Sequence, residues 1–341
     1  MVKTIAIDGM GGDNAPGAVF KGLSQFHQFG FHSIIFGDSE ILKEHVKLLP
    51  RGFSYEMRHA DVIIRPDMDV ISGLRFGKNS SMGLAIRAVE SGEADAVVSS
   101  GNTGLYMALA KIILKTISGI DRPAIASVLP GADGQTVCLD LGANSECSVK
   151  NLVDFAIMGE ALGKIIFQKK DVKLALLNIG TEDTKGSRLI KKTAEVLKKF
   201  FDNYVGFVEG TDICKGNIDV IVTDGFTGNV ALKTIEGTAK FITSELKKSF
   251  SHSFISKLCA IFAMLLLKDF KKKMDPRRYN GAILLGLNGI VVKSHGNSDG
   301  IGFANAIRFT IDILRENIFD RIRDQLGKSE ISRISEYCED K

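Results

Sequence analysis

The chain has few cysteines, and none of them stands close to another. The five cysteines lie at positions 138, 147, 214, 259 and 338, and they include no CxxC pair. Disulfide-stapled secreted domains and structural zinc sites both need denser or paired cysteines. This usage therefore argues against both classes and is typical of a protein of the reducing cytoplasm.

Segments that would cross a membrane or direct secretion are lacking as well. A membrane-spanning helix is not predicted, because the sequence contains no run of about eighteen apolar residues. The opening residues, MVKTIAIDGMGG, enter a predicted strand directly and leave no room for a signal peptide. Both absences favour a cytoplasmic location.

The chain has little net charge with which to attract a polyanion. Its formal charge is +4, which is too small to predict a nucleic-acid partner. The distribution is uneven, since residues 257–278 hold seven Lys or Arg against two Asp, a local charge of +5, while the rest of the chain sums to −1. This one basic patch is the electrostatic feature that needs a partner.

Several common catalytic motifs are missing too. No GxGxxG follows the first predicted strand, no GxxxxGK[ST] occurs, and no His/Cys spacing suits zinc. The residues that remain are Gly, Asn, Ser and Thr in loops, a few carboxylates, and the lysines Lys185 and Lys233. Such a set suits an anionic substrate that is itself the nucleophile, such as inorganic phosphate, because it needs positioning and electrostatic stabilisation more than a strong base.

The most informative stretch is DVIVTDGFTGNVALKTIEG at residues 219–237. A β-branched run predicts a buried strand, a polar turn with two glycines follows, and apolar residues at helical spacing then predict a helix. In this interpretation Asp224 lies at the exit of the strand, Asn229 at the helix N-terminus and Lys233 one turn inside. The unpaired amides and the dipole of that terminus would bind phosphate or another anion.

The same order of strand and polar loop recurs along the chain. The six loops of this kind follow predicted strands that end at residues 7, 98, 139, 177, 222 and 292. Ligands of parallel α/β sheets bind at the carboxyl ends of strands, so the six loops together predict one shared cleft. Any single loop is equally consistent with ordinary turn residues.

The alternation of strands and helices also sets the expected fold. Hydrophobic residues make up 45% of the chain and charged residues 25%, which permits a large core. The alternation predicts an α/β fold with a mostly parallel sheet wrapped by helices, closed by an amphipathic helix over residues 303–326. Length alone suggests about two domains, but we expect residues 1–341 to form a single α/β/α catalytic unit.

Residues 250–278 depart from this pattern. Ten consecutive apolar residues, LCAIFAMLLL at 258–267, are flanked by lysines on both sides. The run is too short to cross a bilayer, and its flanks are basic for a core helix. We expect a protruding helical segment that lies in a membrane interface with its lysines facing anionic lipid. A helix at a subunit interface fits the same pattern.

The ordered motifs DGMGGDNAP, SSGNTG, GIDRPAIASVLP, DLGAN, LLNIGTEDTKG, DGFTGNVALKTIEG and NGIVVKSHGNSD extend along nearly the whole chain. In that order they resemble the PlsX family, the phosphate acyltransferases of bacterial phospholipid synthesis. The resemblance implies transfer of a fatty acyl group from acyl carrier protein to inorganic phosphate, giving an acyl phosphate for a membrane glycerol-3-phosphate acyltransferase downstream.

The resemblance also implies an architecture and a location. It implies a homodimer of three-layer α/β/α subunits like isocitrate and isopropylmalate dehydrogenases, with peripheral membrane attachment through a hydrophobic helix and with no cofactor or required metal. Because acyl carrier protein is acidic, the basic patch could also bind that partner. The residues predicted to contact membrane or carrier protein are Leu258, Ile261, Phe262, Leu265, Lys268, Lys271, Lys272, Lys273, Arg277 and Arg278.

Three residues are predicted to be catalytic. Asn229 would polarise the thioester carbonyl, Lys185 would stabilise the oxyanion or the phosphate, and His295 is a candidate proton donor to the leaving thiol. Each has a structural alternative: Asn229 as a helix cap, Lys185 as a surface lysine and His295 as a residue that fixes its own loop.

Phosphate is expected to bind between the loops at Gly11–Gly12, Gly101–Gly104 and Gly296–Ser298. Ser80 or Ser81 is also a natural helix cap, and Asp8, Asp140 and Asp224 could orient donors or hold a metal. The predicted substrate-binding residues are Asp8, Gly11, Gly12, Asp13, Ser80, Ser81, Gly101, Asn102, Thr103, Gly104, Asn144, Gly180, Asp224, Gly225, Lys233, Gly296 and Ser298.

Two positions depart from the family pattern. Asn14 stands where histidine is usual, which argues against an acid–base role for that loop. Gly83 stands where arginine is common, which could weaken a contact with phosphate or carrier protein.

The competing predictions are a phosphate acetyltransferase or decarboxylating dehydrogenase on a related fold, and a non-catalytic scaffold that carries acyl chains to the membrane.

Overall fold

The computed structural model describes residues 2–26, 30–64, 68, 70–251, 270 and 275–326. Within these residues eleven strands form one sheet in the order β3-β2-β1-β4-β11-β10-β5-β6-β9-β7-β8. The strands are β1 Lys3–Asp8, β2 Phe31–Gly37, β3 Tyr55–His59, β4 Ala96–Ser99, β5 Ala124–Pro130, β6 Gln135–Leu139, β7 Leu174–Leu177, β8 Tyr204–Val208, β9 Val220–Val222, β10 Ala282–Leu285 and β11 Ile290–Lys293.

Helices connect most of these strands. The α-helices are α1 Gly17–Leu23, α2 Ser39–His45, α3 Val70–Gly77, α4 Ser81–Glu90, α5 Thr103–Leu114, α6 Val149–Phe167, α7 Arg188–Phe200, α8 Gly210–Ile213, α9 Gly225–Ser251, α10 Gly300–Arg315 and α11 Ile318–Leu326. Two short 3₁₀ helices cover Val46–Leu48 and Pro276–Tyr279.

The sheet is mostly parallel, but its two halves run in opposite directions. Pairings among β3, β2, β1, β4 and β11 are parallel, as are those among β6, β9, β7 and β8. Between the halves, β10 and β5 pair antiparallel with their neighbours. The six polar loops therefore do not leave one edge of a parallel sheet, as the sequence predicted.

The pairing register nevertheless brings the ends of the two halves to the same level. Lys293, at the end of β11, pairs with Ala282 at the start of β10. The next residue of β10 pairs with Ala126, which in turn pairs with Leu139 at the end of β6. The last residues of β11 and β6 are thus one step apart in register, so loops from both halves border the middle of the sheet.

Apolar side chains on the two faces of the sheet form two cores. Along β1, Ile5 and Ile7 join one cluster with α6 and α10, and Ala6 joins the other with α4 and α5. This alternation follows from the two-residue period of a strand. Helices cover both clusters, which produces the expected three layers.

The predicted closing helix is interrupted. α10 ends at Arg315 and α11 begins at Ile318, because Asn317 adopts a positive φ of 49° that no continuous α-helix contains. The predicted protruding segment at 250–278 lies mostly outside the described residues. In the described part of the chain, no helix has the length and apolar character needed to span a membrane.

Candidate active site

A cavity of about 740 Å³ lies between α9 and the central strands of the sheet. One wall is the face of α9 that carries Asn229, Lys233 and Glu236, whose spacings of three and four residues place them on one side of a helix. The opposite wall includes Ser127 of β5 and the residues that follow β11 and β6. Loops from both halves of the sheet therefore contribute to one site.

Most of the remaining lining is apolar. Aliphatic side chains from β5, the loop after β6, α9 and β10 surround the space between the polar groups, namely Ile125, Leu129, Leu141, Leu232, Ile235, Ala239 and Ala282. A cavity with apolar walls and a few grouped polar residues is typical of a site for a small molecule with a hydrocarbon part.

The start of α9 differs from the sequence prediction. The helix begins at Gly225, so Asn229 lies inside it rather than at its N-terminus. Asp224 caps the helix, accepting hydrogen bonds from the Thr227 amide and hydroxyl, both at 2.8 Å. The Gly225 amide donates to the Asn144 carbonyl at 2.8 Å. With these amides paired, this terminus is not the open anion site that the pattern predicted.

Asp140 holds the loop that faces Asn229. Its buried carboxylate accepts hydrogen bonds from the amides of Ile125 and Asn144 at 2.9 and 2.7 Å and from the Asn144 side chain at 2.9 Å. Burial raises the pKa of Asp140, and these donors oppose that rise. A Cβ on Gly142 would lie 3.3 Å from Cβ of Asn229. Asp140 and Asn144 thus shape the wall opposite Asn229.

The three loops predicted to hold phosphate do meet. A Cβ on Gly11 would lie 2.9 Å from the Gly101 amide nitrogen, and one on Gly12 would lie 2.9 Å from the Gly296 carbonyl oxygen. The Asp13 amide donates to that same carbonyl at 2.8 Å. Gly12 also has a φ of 101°, which favours glycine. These contacts require glycine at Gly11 and Gly12 because no side chain fits between the loops.

Asp8 is a buried carboxylate at the base of these loops. Its two oxygens accept hydrogen bonds from Ser99 Oγ at 2.6 Å and Ser81 Oγ at 2.7 Å. Burial raises the pKa of Asp8, while the bonds from Ser99 and Ser81 act in the opposite direction. Asp8 therefore connects the loop after β1 to Ser99 and to the start of α4.

Ser80 caps α4, as one interpretation of the sequence proposed. Its Oγ accepts a hydrogen bond from the Gly83 amide at 3.1 Å and donates to the Gly77 carbonyl at 2.6 Å. A Cβ on Gly83 would lie 2.0 Å from that carbonyl oxygen. In this chain the backbone before α4 thus occupies the space that a side chain at position 83 would need.

Asn14, the other departure from the family pattern, joins two loops. Its Nδ2 donates to the carbonyls of Asn297 and Ser298, both at 3.2 Å. A neutral amide suits this bridging role and supplies no proton. At the start of α5, the Asn102 side chain accepts a hydrogen bond from the Leu105 amide at 3.1 Å. The next residue, Thr103, lines the cavity and is followed by Gly104.

Residues Gly296 to Gly300 have the letters G-x-S-x-G of a hydrolase nucleophile elbow. The central serine, Ser298, is buried and lies 2.9 Å from both Asn280 Nδ2 and Ser294 Oγ. These bonds connect the loop to the residues before β10. The geometry therefore indicates a structural serine rather than an exposed nucleophile.

Glu236 joins Lys233 to His295 across the cavity. Its oxygens lie 2.9 Å from Lys233 Nζ and 3.3 Å from His295 Nε2. Burial lowers the pKa of His295; the Glu236 charge raises it, and Lys233, Lys293 and Lys240 lower it further. The predicted residues Lys233 and His295 are thus brought together, with Asn229 one turn away on α9.

Lys293 is a cavity residue that the sequence interpretation did not single out. It ends β11 with a side chain only 7% exposed. Burial lowers its pKa to about 8, with Asp8 and Asp13 acting in the opposite direction. The sequence does contain a signal for this residue: a lysine that directly follows a β-branched run lies at the end of a strand, where the polar loops begin.

Lys185 and Gly180 lie apart from the cavity. Lys185 is exposed, and its side chain packs over Gly180 in the loop after β7. The Asn178 side chain closes this loop by donating to the Lys185 carbonyl at 3.3 Å. This loop, the fourth of the six polar loops in chain order, contributes none of the residues that line the cavity.

Most of the predicted membrane and carrier-protein residues lie outside the described residues. These are Leu258, Ile261, Phe262, Leu265, Lys268, Lys271, Lys272 and Lys273. Of the two that are described, Arg277 pairs with Asp275 at 2.7 Å and Asp299 at 2.9 Å, and Arg278 lines a second cavity, of about 900 Å³, next to α6 and α10. In the described part of the chain, no cluster of three His, Cys, Asp or Glu could hold a metal ion.

The fold of the chain is similar to the folds of solved phosphotransacetylase and dehydrogenase structures. A phosphotransacetylase from Streptococcus pyogenes superposes with a TM-score of 0.61 at 19% identity, covering 92% of this chain and 94% of its own. A 4-hydroxythreonine-4-phosphate dehydrogenase from Klebsiella pneumoniae gives 0.53 at 11% identity, covering 92% and 100%. These likenesses confirm the predicted fold class.

Sequence comparison defines the family more narrowly. The chain belongs to the family described as fatty acid synthesis protein, which matches residues 3–321. A relative from Methylococcus capsulatus named phosphate acyltransferase is 45% identical over 329 residues, covering 95% of this chain and 97% of its own. The family resemblance drawn from the motifs is therefore confirmed.

Proposed function

We propose that this protein is a phosphate acyltransferase that moves a fatty acyl group from the thioester of acyl carrier protein to inorganic phosphate. The observation that carries the proposal is the cavity itself. Its apolar walls suit an acyl chain, and Lys233, Lys293 and His295 stand together at its polar part. Family membership supports the reaction class, and the acyl carrier protein is the proposed donor.

The reaction forms one bond and breaks another. A phosphate oxygen attacks the thioester carbonyl carbon, the carbonyl oxygen carries the negative charge of the tetrahedral intermediate, and the carbon–sulfur bond then breaks to give acyl phosphate and thiol. Asn229, which lines the cavity, is proposed to donate its side-chain amide to the carbonyl oxygen. The three glycine loops are proposed to place the phosphate for attack.

The leaving sulfur needs only modest help. A thiol has a pKa of about 8.5, so its thiolate is a good leaving group near neutral pH. His295 is proposed to donate the proton that the sulfur takes up, and its contact with Glu236 supports the role by fixing the orientation of the ring.

Lys185 is proposed to stabilise the oxyanion or the phosphate on the strength of the family motif. In the structure Lys185 is exposed and is not among the residues that line the cavity, so this role rests on the motif alone. A Lys185→Met variant tests it: slower phosphate-dependent thiol release supports the role, and unchanged turnover removes Lys185 from the site.

The assembly and location are proposed from the sequence. We propose a homodimer, cytoplasmic and peripherally attached to the membrane through residues 258–273, that passes acyl phosphate to a membrane glycerol-3-phosphate acyltransferase. The basic patch would bind lipid or carrier protein. Of its two described arginines, Arg278 is the better candidate for this contact, because Arg277 already pairs with Asp275 and Asp299. The one continuous sheet supports a single catalytic unit.

A single-turnover assay tests the proposed reaction. Acyl-carrier-protein thioester is mixed with excess protein, with and without inorganic phosphate, while free thiol is followed and acyl phosphate is trapped with hydroxylamine. The proposal predicts phosphate-dependent thiol release with a trapped acyl group. Release without phosphate would indicate a thioesterase, and binding without release a scaffold. The same acyl group on coenzyme A tests the choice of donor.

A further inference from the structure

Lys293 is a buried cation with unused hydrogen-bonding capacity. It ends β11 and is 7% exposed, and the register places it beside Ser99 of β4. Its Nζ donates to the carbonyl of Ser294. An ammonium group has three donors, so two remain for another partner.

No carboxylate of the described residues forms an ion pair with Lys293. Asp8 and Asp13 attract its charge from farther away, and Lys233 repels it. Asp8 is itself held by the hydroxyls of Ser99 and Ser81. Burying a charge is unfavourable unless a counter-charge is supplied, so the environment of Lys293 indicates an anionic ligand.

The other lysines considered for this role are less suitable. Lys233 already pairs with Glu236 at 2.9 Å. Lys185 is exposed and does not line the cavity. Lys293 therefore combines burial, a place in the cavity wall and a charge without an ion pair in the described part of the chain.

We propose that Lys293 binds the phosphoryl oxygens of the acceptor phosphate and of the acyl phosphate product. This inference rests on the proposed function for the identity of the anion. It adds a charge on β11 that neutralises phosphate and that does not depend on the proposed role of Lys185 in the loop after β7. Lys293 thereby keeps the phosphate next to the part of the cavity where the acyl carbonyl binds.

The test compares Lys293→Met with wild type and with Lys111→Met, an exposed lysine on α5. Methionine keeps the length of the side chain and removes the charge, so the variant should fold at least as well, because a buried charge is replaced by an apolar group. Phosphate binding is measured by the rise in melting temperature with inorganic phosphate, and KM for phosphate by thiol release.

We expect KM for phosphate to rise by about tenfold to a hundredfold in Lys293→Met, which corresponds to losing a hydrogen-bonded charge contact. The phosphate-dependent rise in melting temperature should shrink accordingly, while Lys111→Met behaves like wild type. A KM for phosphate within twofold of wild type in a folded Lys293→Met would overturn the inference.

The outcomes separate this inference from the proposed function. If wild type forms no acyl phosphate but phosphate stabilises wild type and not Lys293→Met, the proposed reaction is wrong and the anion site stands. If wild type forms acyl phosphate and Lys293→Met keeps its phosphate KM and thermal response, the reaction stands and the role of Lys293 is wrong.

Discussion

His295, in the loop after β11, lies 3.3 Å from Glu236 on α9 through its Nε2 atom. The contact joins the half of the sheet that carries the glycine loops to the helix that carries Asn229. A carboxylate in this position orients the imidazole and favours its protonated form. The Glu236 charge therefore raises the pKa of His295 against the larger lowering by burial, and so extends to higher pH the range in which the proposed acid is protonated.

Replacing Glu236 by Gln should shift the pH dependence of turnover. The Glu236 charge raises the pKa of His295, against the lowering by burial and by Lys233, Lys293 and Lys240. Loss of that charge lowers the pKa, so the protonated acid is lost at a lower pH. We expect the falling limb of kcat against pH to move to lower pH in Glu236→Gln.

The control for this prediction is Glu245→Gln. Glu245 lies on the same helix and pairs with Lys248 three residues on, as Lys233 and Glu236 do, but it is exposed and does not line the cavity. Its pH profile should match that of wild type. A Glu236→Gln profile that also matches wild type would remove His295 as the proton donor.

Asn229→Ala should reduce the chemical step more than substrate binding. If its amide stabilises the developing oxyanion, loss of the donor should lower kcat by about 10²- to 10³-fold with little change in KM. Asn288→Ala, at an exposed asparagine between β10 and β11, serves as the control. A kcat within a few-fold of wild type in Asn229→Ala would show that the carbonyl is polarised elsewhere.

Gly83→Ala should destabilise the fold although it adds a single methyl group. The added Cβ would meet the Gly77 carbonyl oxygen at 2.0 Å, so the backbone before α4 must shift, at a cost of about 1–3 kcal/mol in unfolding free energy. Gly237→Ala is the matched control, because among the described residues no group outside the local backbone of α9 lies within 4 Å of its Cβ position. That change should stabilise by about 0.5–1 kcal/mol. Denaturant unfolding of both variants measures the difference, and equal stabilities would contradict the described packing.

Phosphate affinity should fall as the pH rises through the pKa of Lys293. Burial lowers that pKa to about 8, so the ammonium is present below pH 8 and is lost above it, while Asp8, Asp13 and Lys233 also act on it. Titration calorimetry with phosphate between pH 7 and 9 should show weakening binding in wild type and a nearly flat response in Lys293→Met. Equal slopes in both proteins would assign the effect to another group.

The strands before the six polar loops were predictable because their length, their residue types and the turn residues after them all favour a short buried strand. Leu174–Leu177, for example, is predicted and observed with the same bounds. Short buried β-branched or aliphatic runs that end in Gly, Asp or Asn leave few alternatives. β3, with the sequence YEMRH, was missed because its polar residues at the sheet edge lack an apolar pattern.

The opposed directions of the two halves could not be predicted from local pattern. They follow from the antiparallel pairing of β10 with β5, which are separated by more than 150 residues and whose apolar runs look like those of parallel strands. The same long-range pairing determines which loops of the two halves meet. It does not explain why Lys185 is absent from the cavity lining, because β7 runs parallel to β9 and β6 in the same half of the sheet.

Two local predictions, the cap of α9 and the continuous closing helix, were wrong because the contacts that decide them leave little trace in the sequence. Both Asp224 and Asn229 are good helix caps, and the contacts of Gly225 with the loop after β6 decide in favour of Asp224. The apolar period of residues 303–326 continues through Asn317, so the pattern does not reveal the break there. Lys293 was missed because a lysine at a strand end is usually exposed.

Phosphorus-31 NMR of a single turnover shows whether phosphate itself accepts the acyl group. With acyl-carrier-protein thioester, inorganic phosphate and one equivalent of protein, we expect a new acyl phosphate signal that matches the released thiol one to one. Thiol released together with free fatty acid, and with no new phosphorus signal, would rule out phosphate as the acceptor.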